Sequence, residues 1–179
     1  REILVYLERD LLDEGGAFHA AEDADSEGEE GRFYVWTPDE IGEVLGPEEG
    51  AVFAAAYGVT AQGNFEGGRT VLSRKLDDAA LASRFGGDEA GVRARLAESR
   101  ARLFARRETR PRPHRDDKVL TDWNGLAISA LALGSRVLGG TRWARRAEAV
   151  ADFVDSTLWR DGVLLHRYRD GEAGVEGFL

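Results

Sequence analysis

The sequence predicts a mainly α chain, assembled from αα-hairpins with short β-hairpins between them. Two observations carry that expectation. Apolar residues recur at helical spacing over long segments, and glycines with helix-start signals separate those segments. Strand-like pieces are short by comparison.

Taken in order, residues 2–12 place Ile3, Leu4, Leu7, Leu11 and Leu12 at helical spacing, the end of an amphipathic helix that Gly15-Gly16 stops. Two strand-like pieces follow, Gly16-Ala17-Phe18-His19-Ala20 and Arg32-Phe33-Tyr34-Val35-Trp36, with an acidic run between them. Thr37-Pro38-Asp39-Glu40 is a clear helix start: a capping threonine, proline in the first turn, and glutamate three residues after the cap. Residues 48–57 read as a short helix ended by Gly58, and residues 60–68 as a glycine-rich turn before a short strand at Thr70-Val71-Leu72.

Helices resume near Asp77 and from Asp88 to about Arg107, the second with Val92, Leu96, Leu103 and Phe104 against an Arg/Glu face. Thr121 opens a helix to Leu138 that has almost no polar face, so burial on most sides is expected. Gly139-Gly140 turns the chain. Thr141 is expected to cap a helix carrying Trp143, Ala147, Val150, Val154 and Leu158 on one face, and residues 162–170 read as a β-hairpin. Inner and outer helices of this kind suit a rolled-up αα-hairpin toroid or a stacked αα array; no repeat of fixed period favours a regular solenoid.

With 179 residues, 42% of them hydrophobic, the chain can form one sizeable core or two small ones. It starts at Arg1, contains no Met and stops after Gly177-Phe178-Leu179, so a piece of a longer protein is expected, with residues 1–179 forming one partial domain. The net charge of −9 argues against nucleic acid or an anionic membrane as partner. No apolar run reaches membrane-spanning length. Zero cysteines excludes disulfides, thiolate catalysis and Cys-ligated zinc here, and the cytoplasm is the default compartment. Only Lys75 and Lys118 are lysines among 24 basic residues, which makes each lysine slightly informative.

Two constellations can carry chemistry. The first is the acidic run Glu22, Asp23, Asp25, Glu27, Glu29 and Glu30, six carboxylates without a basic residue among them. Such a run either faces water or forms a site, because burying it unpaired is costly. Asp23-x-Asp25-x-Glu27-Gly28 imitates half of an EF-hand. Tyr34 stands where the bidentate glutamate belongs, so that reading fails; a looser divalent-cation site that staples the Glu22–Glu30 run stays open as a structural alternative, and no metal or other cofactor is assigned. As acid/base groups, paired carboxylates need separations of roughly 5–10 Å, with crowding raising the pKa of one member. Asp23 and Asp25 point the same way if a strand runs through them. The second constellation is Arg115 to Gly125, leading into the apolar helix. Asp117 and Lys118 offer an ion pair or an acid/base with a cation, and Trp123 with Asn124 offers a sugar-binding platform and hydrogen-bonder at a helix start. The competing reading is structural: a surface ion pair, a core tryptophan and Asp122 beside the helix dipole. His19, His114 and His166 lack metal spacing, although His19 points into the acidic run.

Gly15 to Ile41, "GGAFHAAEDADSEGEEGRFYVWTPDEI", resembles a signature of the YyaL-type, spermatogenesis-associated thioredoxin-domain family. Asp116 to Ala132, "DDKVLTDWNGLAISALA", looks like a second signature, and Gly63 to Gly67, "GNFEG", is consistent with a third. The resemblance implies the middle of an (α/α)6 toroid similar to six-hairpin glycosidases and epimerases. The family's N-terminal thioredoxin-like domain and an upstream toroid block are absent from this chain. The matched positions are Glu22, Asp23, Asp25, Ser26 and Glu27, then Asp117, Lys118, Trp123 and Asn124. His19 departs from the family's small polar residue.

Two functions follow as expectations. In one, the chain belongs to a carbohydrate-active toroid: Asp23, Asp25 and Asp117 do acid/base work, while Glu22, Glu27, Lys118, Trp123 and Asn124 bind a carbohydrate or other small molecule. In the other, it is a non-catalytic binding or scaffold module serving the fused thioredoxin-like domain, with the missing remainder of its own polypeptide as partner. Here the motifs bond internally and Lys118 pairs with the acidic run.

Overall fold

A computed structural model describes residues 1–177, so the expected motif start at Gly177-Phe178-Leu179 lies mostly outside the described residues. In chain order the elements are α1 (Glu2–Tyr6, continued by a π-turn Leu7–Leu11), β1 (His19–Glu22), β2 (Asp25–Ser26), β3 (Glu29–Glu30), α2 (Pro38–Leu45), α3 (Pro47–Tyr57), α4 (Asp78–Phe85) and α5 (Glu89–Arg107). There follow β4 (Arg115–Leu120), α6 (Thr121–Leu138), α7 (Arg142–Phe153, continued by a π-turn Val154–Leu158), β5 (Trp159–Arg160), β6 (Val163–Arg169) and β7 (Glu172–Glu176). About 53% of the chain is helical, which makes it mainly α with short antiparallel strands. The chain divides into two compact units: residues 1–23 with 114 onward, and residues 24–113.

The second unit is a helical cluster. Trp36, Ile41, Leu45, Val52, Phe53, Ala56, Leu81, Val92, Leu96 and Leu103 are all buried in one core drawn from α2, α3, α4 and α5. Each of the Val, Leu, Ile and Phe side chains among them contributes roughly 1.5–3 kcal/mol on burial. Helix α2 starts as its sequence predicts. The Glu40 amide donates to Thr37 Oγ1 at 3.2 Å, and the Thr37 amide donates to Glu40 Oε2 at 2.9 Å.

Residues 32–34 are a turn and Val35 is irregular, rather than the expected strand, with only a bridge between Trp36 and Thr70. The reason is Arg110. Its Nη1 lies 3.2, 3.0 and 2.8 Å from the carbonyl oxygens of Arg32, Phe33 and Val35, which takes the acceptors a neighbouring strand would use. Its Nη2 donates to Glu40 at 3.0 Å, and the guanidinium stacks 4.1 Å above the Trp36 ring.

The first unit combines a sheet with two helices. Strands β1, β4, β6 and β5 are neighbours in that order, with β7 also on β6, all antiparallel. The β6–β7 hairpin turns at Asp170-Gly171, so the pairing expected for residues 162–170 extends to Glu176. Helices α6 and α7 form the expected hairpin around Gly139-Gly140, both with positive φ. Leu4, Leu11, Phe18, Leu131, Trp143, Ala147 and Val150 make their core. Gly134 lets α1 approach: a Cβ there would lie 2.6 Å from Leu4 Cδ1.

Helix α6 starts at Thr121 and ends at Leu138 as expected, and the Thr121 hydroxyl donates to the Leu165 carbonyl at 2.5 Å. Two local expectations are corrected. Thr141 makes no side-chain cap to α7. Most consequentially, α6 is not buried all round. Only Asn124 and Leu131 are buried along it, while Leu126 is 71% and Val137 72% exposed.

Candidate functional site

The two signatures meet on adjacent strands of the first unit. Strand β1 runs antiparallel to β4, pairing His19 with Val119, Ala21 with Asp116 and Glu22 with Arg115. The Asp23 amide donates to the His114 carbonyl at 2.7 Å. Glu22 accepts from the Tyr6 hydroxyl at 3.2 Å. His19 is buried, with Nδ1 3.0 Å from the Asp117 carbonyl oxygen and Nε2 3.7 Å from the Asp13 carboxylate.

Alternation along β4 decides the ion pairs. Residues two apart share a face of a strand and adjacent residues do not. Lys118 therefore pairs with Asp116 at 3.1 Å, not with Asp117 or the acidic run. The Lys118 ammonium holds the Asp116 carboxyl below the usual carboxylate range. Asp117 faces Arg169, whose Nε lies 2.8 Å from Oδ1. That nitrogen is off line for a hydrogen bond, so Oδ1 is charge-paired without accepting one.

Asn124 is 1% exposed, and its amide is consumed by backbone. Oδ1 accepts from the Phe18 amide at 2.8 Å; Nδ2 donates to the Phe18 carbonyl at 3.0 Å and the Leu120 carbonyl at 2.9 Å. The side chain thus imitates a peptide group in a β-bridge, tying the first turn of α6 to the segment before β1. Trp123, its neighbour, is 51% exposed.

The rest of the acidic run belongs to the second unit, where β2 and β3 form a tiny hairpin pairing Asp25 with Glu30 and Ser26 with Glu29. Asp25 is exposed. Ser26 is buried and donates to the Pro111 carbonyl at 2.6 Å. Arginines from outside the run neutralise part of it. Arg32 lies 3.0 Å from Glu27 and 2.6 Å from Glu29, and Arg69 lies 2.5 Å from Glu29. The hydrogen bond from Arg69, helped by Arg32, pulls the Glu29 carboxyl below its ordinary range, opposite to the upward shift expected from crowding. Among the described residues, no three His, Asp or Glu side chains come close enough to hold a metal ion. In the "GNFEG" segment, Asn64 repeats the device of Asn124: Oδ1 accepts from the Val71 amide at 2.8 Å and Nδ2 donates to the Val71 carbonyl at 3.1 Å.

Arg32, Arg69, Arg110 and Arg169 were hidden from sequence reasoning, because with 22 arginines no single one stands out. The alternation of β4 was the one available signal, since it already separates Asp117 from Lys118.

Fold and site together define a mainly α chain whose signature residues largely bind its own backbone and one another. In sequence it is similar to spermatogenesis-associated protein 20 of Homo sapiens, with 37% identity across 97% of this chain. The Mus musculus protein of the same name is 34% identical over 85% of the chain, and an uncharacterized protein of Caenorhabditis elegans, B0495.5, is 31% identical over 91%. These homologues support placing the chain with spermatogenesis-associated protein 20. The chain spans about a quarter of the length of the curated relatives it matches. No family model matches it.

Proposed function

We propose that this chain is a non-catalytic structural module of a longer polypeptide, presenting one face of α6 on which the rest of that polypeptide packs. The observation that carries the reading is a stripe along α6. Trp123, Leu126, Ala130, Leu133 and Val137 are all exposed and recur at alternating spacings of three and four. That is the spacing of a seam between packed helices, and contiguous apolar patches are rare on free surfaces. The relatives' greater length supplies the occupant, and an α/α toroid is the architecture such a seam would complete. The signature residues support the same reading: Asn124 is saturated by backbone, and Lys118 and Asp117 are each charge-paired within the unit.

Hydrogen–deuterium exchange of residues 121–138 tests it, in the 179-residue chain and in a longer polypeptide that contains it. The α6 amides are expected to exchange more slowly in the longer polypeptide, and Leu133→Asp to remove that protection. Equal exchange in both would overturn the reading.

The half-exposed Trp123 favours one second reading, a carbohydrate or small-molecule platform at the start of α6 with Asp117 nearby in sequence. Saturable quenching of tryptophan emission by a saccharide, lost in Trp123→Phe and Asp117→Asn, would establish it. Absence of quenching across hexoses and disaccharides would remove it.

A further inference from the structure

The second unit holds a cavity of about 290 Å³, walled on one side by residues of the first signature, that the packing role of α6 does not touch. Four guanidinium groups line it, those of Arg32, Arg69, Arg106 and Arg110, against two carboxylates, Glu27 and Glu40. A local excess of positive charge is unusual in a chain of net charge −9.

The pairing shows which cations are spent. Arg32 and Arg69 converge on Glu29, with Arg32 also on Glu27. Arg110 has Glu40 and three backbone carbonyls. Arg106 lies on the last turn of α5, and its Nη1 donates to the Thr109 hydroxyl at 2.9 Å. Among the described residues it has no carboxylate partner. Next to it Arg107 lies over the rings of Phe33, Tyr34 and Phe104, and its Nε is buried without a hydrogen-bond partner.

The electrostatics agree with the geometry. Arg110 is held below the usual guanidinium range chiefly by burial, with the positive charges of Arg106 and Arg107 pushing the same way against Glu40. A guanidinium stays protonated in any case, so the crowding is relieved by an anion rather than by proton loss. Guanidinium forks match the oxygens of phosphate, and bonds between ionised partners are about twice as strong as neutral ones. The cavity is at the small end of the roughly 300–1,000 Å³ typical of ligand sites, which limits the occupant to a compact anion.

From these features we propose that the arginine-lined cavity between the β2–β3 hairpin and the C-terminal end of α5 binds a phosphate group, free or as a small phosphomonoester, with Arg106 as the uncommitted ligand. This site is independent of the α6 seam, so either proposal can fail alone.

The test is thermal unfolding of the full 179-residue chain at constant ionic strength, in chloride, inorganic phosphate, glycerol phosphate or glycerol. Phosphate or glycerol phosphate is expected to raise Tm over chloride, and glycerol is not. Whichever anion gives the larger shift identifies the source. Arg106→Gln should weaken binding by about tenfold or more, as the loss of one charge-assisted hydrogen bond implies. Glu27→Gln, which removes a competing carboxylate, should strengthen binding and so reads the site with the opposite sign. A phosphate shift unchanged in both variants would overturn the site, as would the lack of any shift over chloride.

Discussion

The two units differ in how completely each encloses its apolar surface. Twelve large apolar side chains are exposed among the described residues, and only Tyr34 and Val71 belong to residues 24–113. The other ten lie in the first unit, on α6, in the β5–β6–β7 region and at Ile3. The helical unit closes its core with its own four helices. The sheet-and-hairpin unit covers one side of α6 and leaves the other side finished by nothing of its own. Apolar composition alone therefore does not say whether a segment is an interior or a contact surface.

Both units nevertheless use the same polar device, an asparagine amide paired with a backbone N–H and C=O, and this permits a direct contest. The largest expected effect is Asn124→Ala. It strands the buried Phe18 N–H and carbonyl, and at about 1–3 kcal/mol for each buried unsatisfied group the loss is about 2–6 kcal/mol. Asn64→Ala removes a local, exposed pairing and should cost about 1 kcal/mol. Urea denaturation of both variants decides; equal losses would mean that Asn124 is not a tie between distant segments.

Next comes α6 itself. Leu131→Ala on the buried side should cost roughly 2–5 kcal/mol by cavity formation. Leu133→Ala, two residues on and 58% exposed, should stay within about 0.5 kcal/mol in this chain. A large loss for Leu133→Ala by denaturant titration would show that the seam is already covered.

A glycine pair gives a smaller contrast. Gly63 has φ 67°, and a Cβ there would lie 2.2 Å from the Arg69 carbonyl oxygen, which cannot move aside. Gly63→Ala should cost about 2 kcal/mol, counting the left-handed backbone and the clash. Gly134 would meet only the tip of Leu4, so Gly134→Ala should cost about 1 kcal/mol or less once that side chain shifts. Circular-dichroism melting ranks the two, and the reverse order would refute the account.

The smallest effect is in acid. Glu29 and Asp116 both have carboxyls held below their ordinary ranges, by Arg69 and Lys118 respectively. A lowered folded value means the contribution is present above the unfolded carboxylate range and is lost as pH falls through the folded value. Glu29→Gln and Asp116→Asn should each lower Tm slightly near neutrality, and the difference from the parent should shrink in acid. Glu29 is exposed and Asp116 partly so, and added salt should shrink it as well.

Much of the helical part was legible because its signals are local. The Thr37–Glu40 box, the span Thr121–Leu138 and the Gly139-Gly140 turn all depend on neighbours within a few residues. What escaped is non-local. Arg110 acts on residues 75 to 78 positions earlier, and Asn124 on a residue 106 positions away. For the candidate residues, the types were informative and the partners were not. Lys118 does form an ion pair, but strand alternation gives it Asp116. Asn124 is indeed a bifunctional hydrogen-bonder, but its ligand is the chain itself. The apolar excess of α6 was visible, while its direction was not, because composition does not report what lies on each side of a helix.

The amide of Asn124 has one further consequence. A helix with apolar groups around its whole circumference can rotate about its axis at little hydrophobic cost, since each azimuth buries something greasy. Three hydrogen bonds to fixed carbonyl and amide groups single out one azimuth. A polar lock at the base of α6, acting with the close approach of Leu4 at Gly134 and the burial of Leu131, thus determines which side of the cylinder is offered outward.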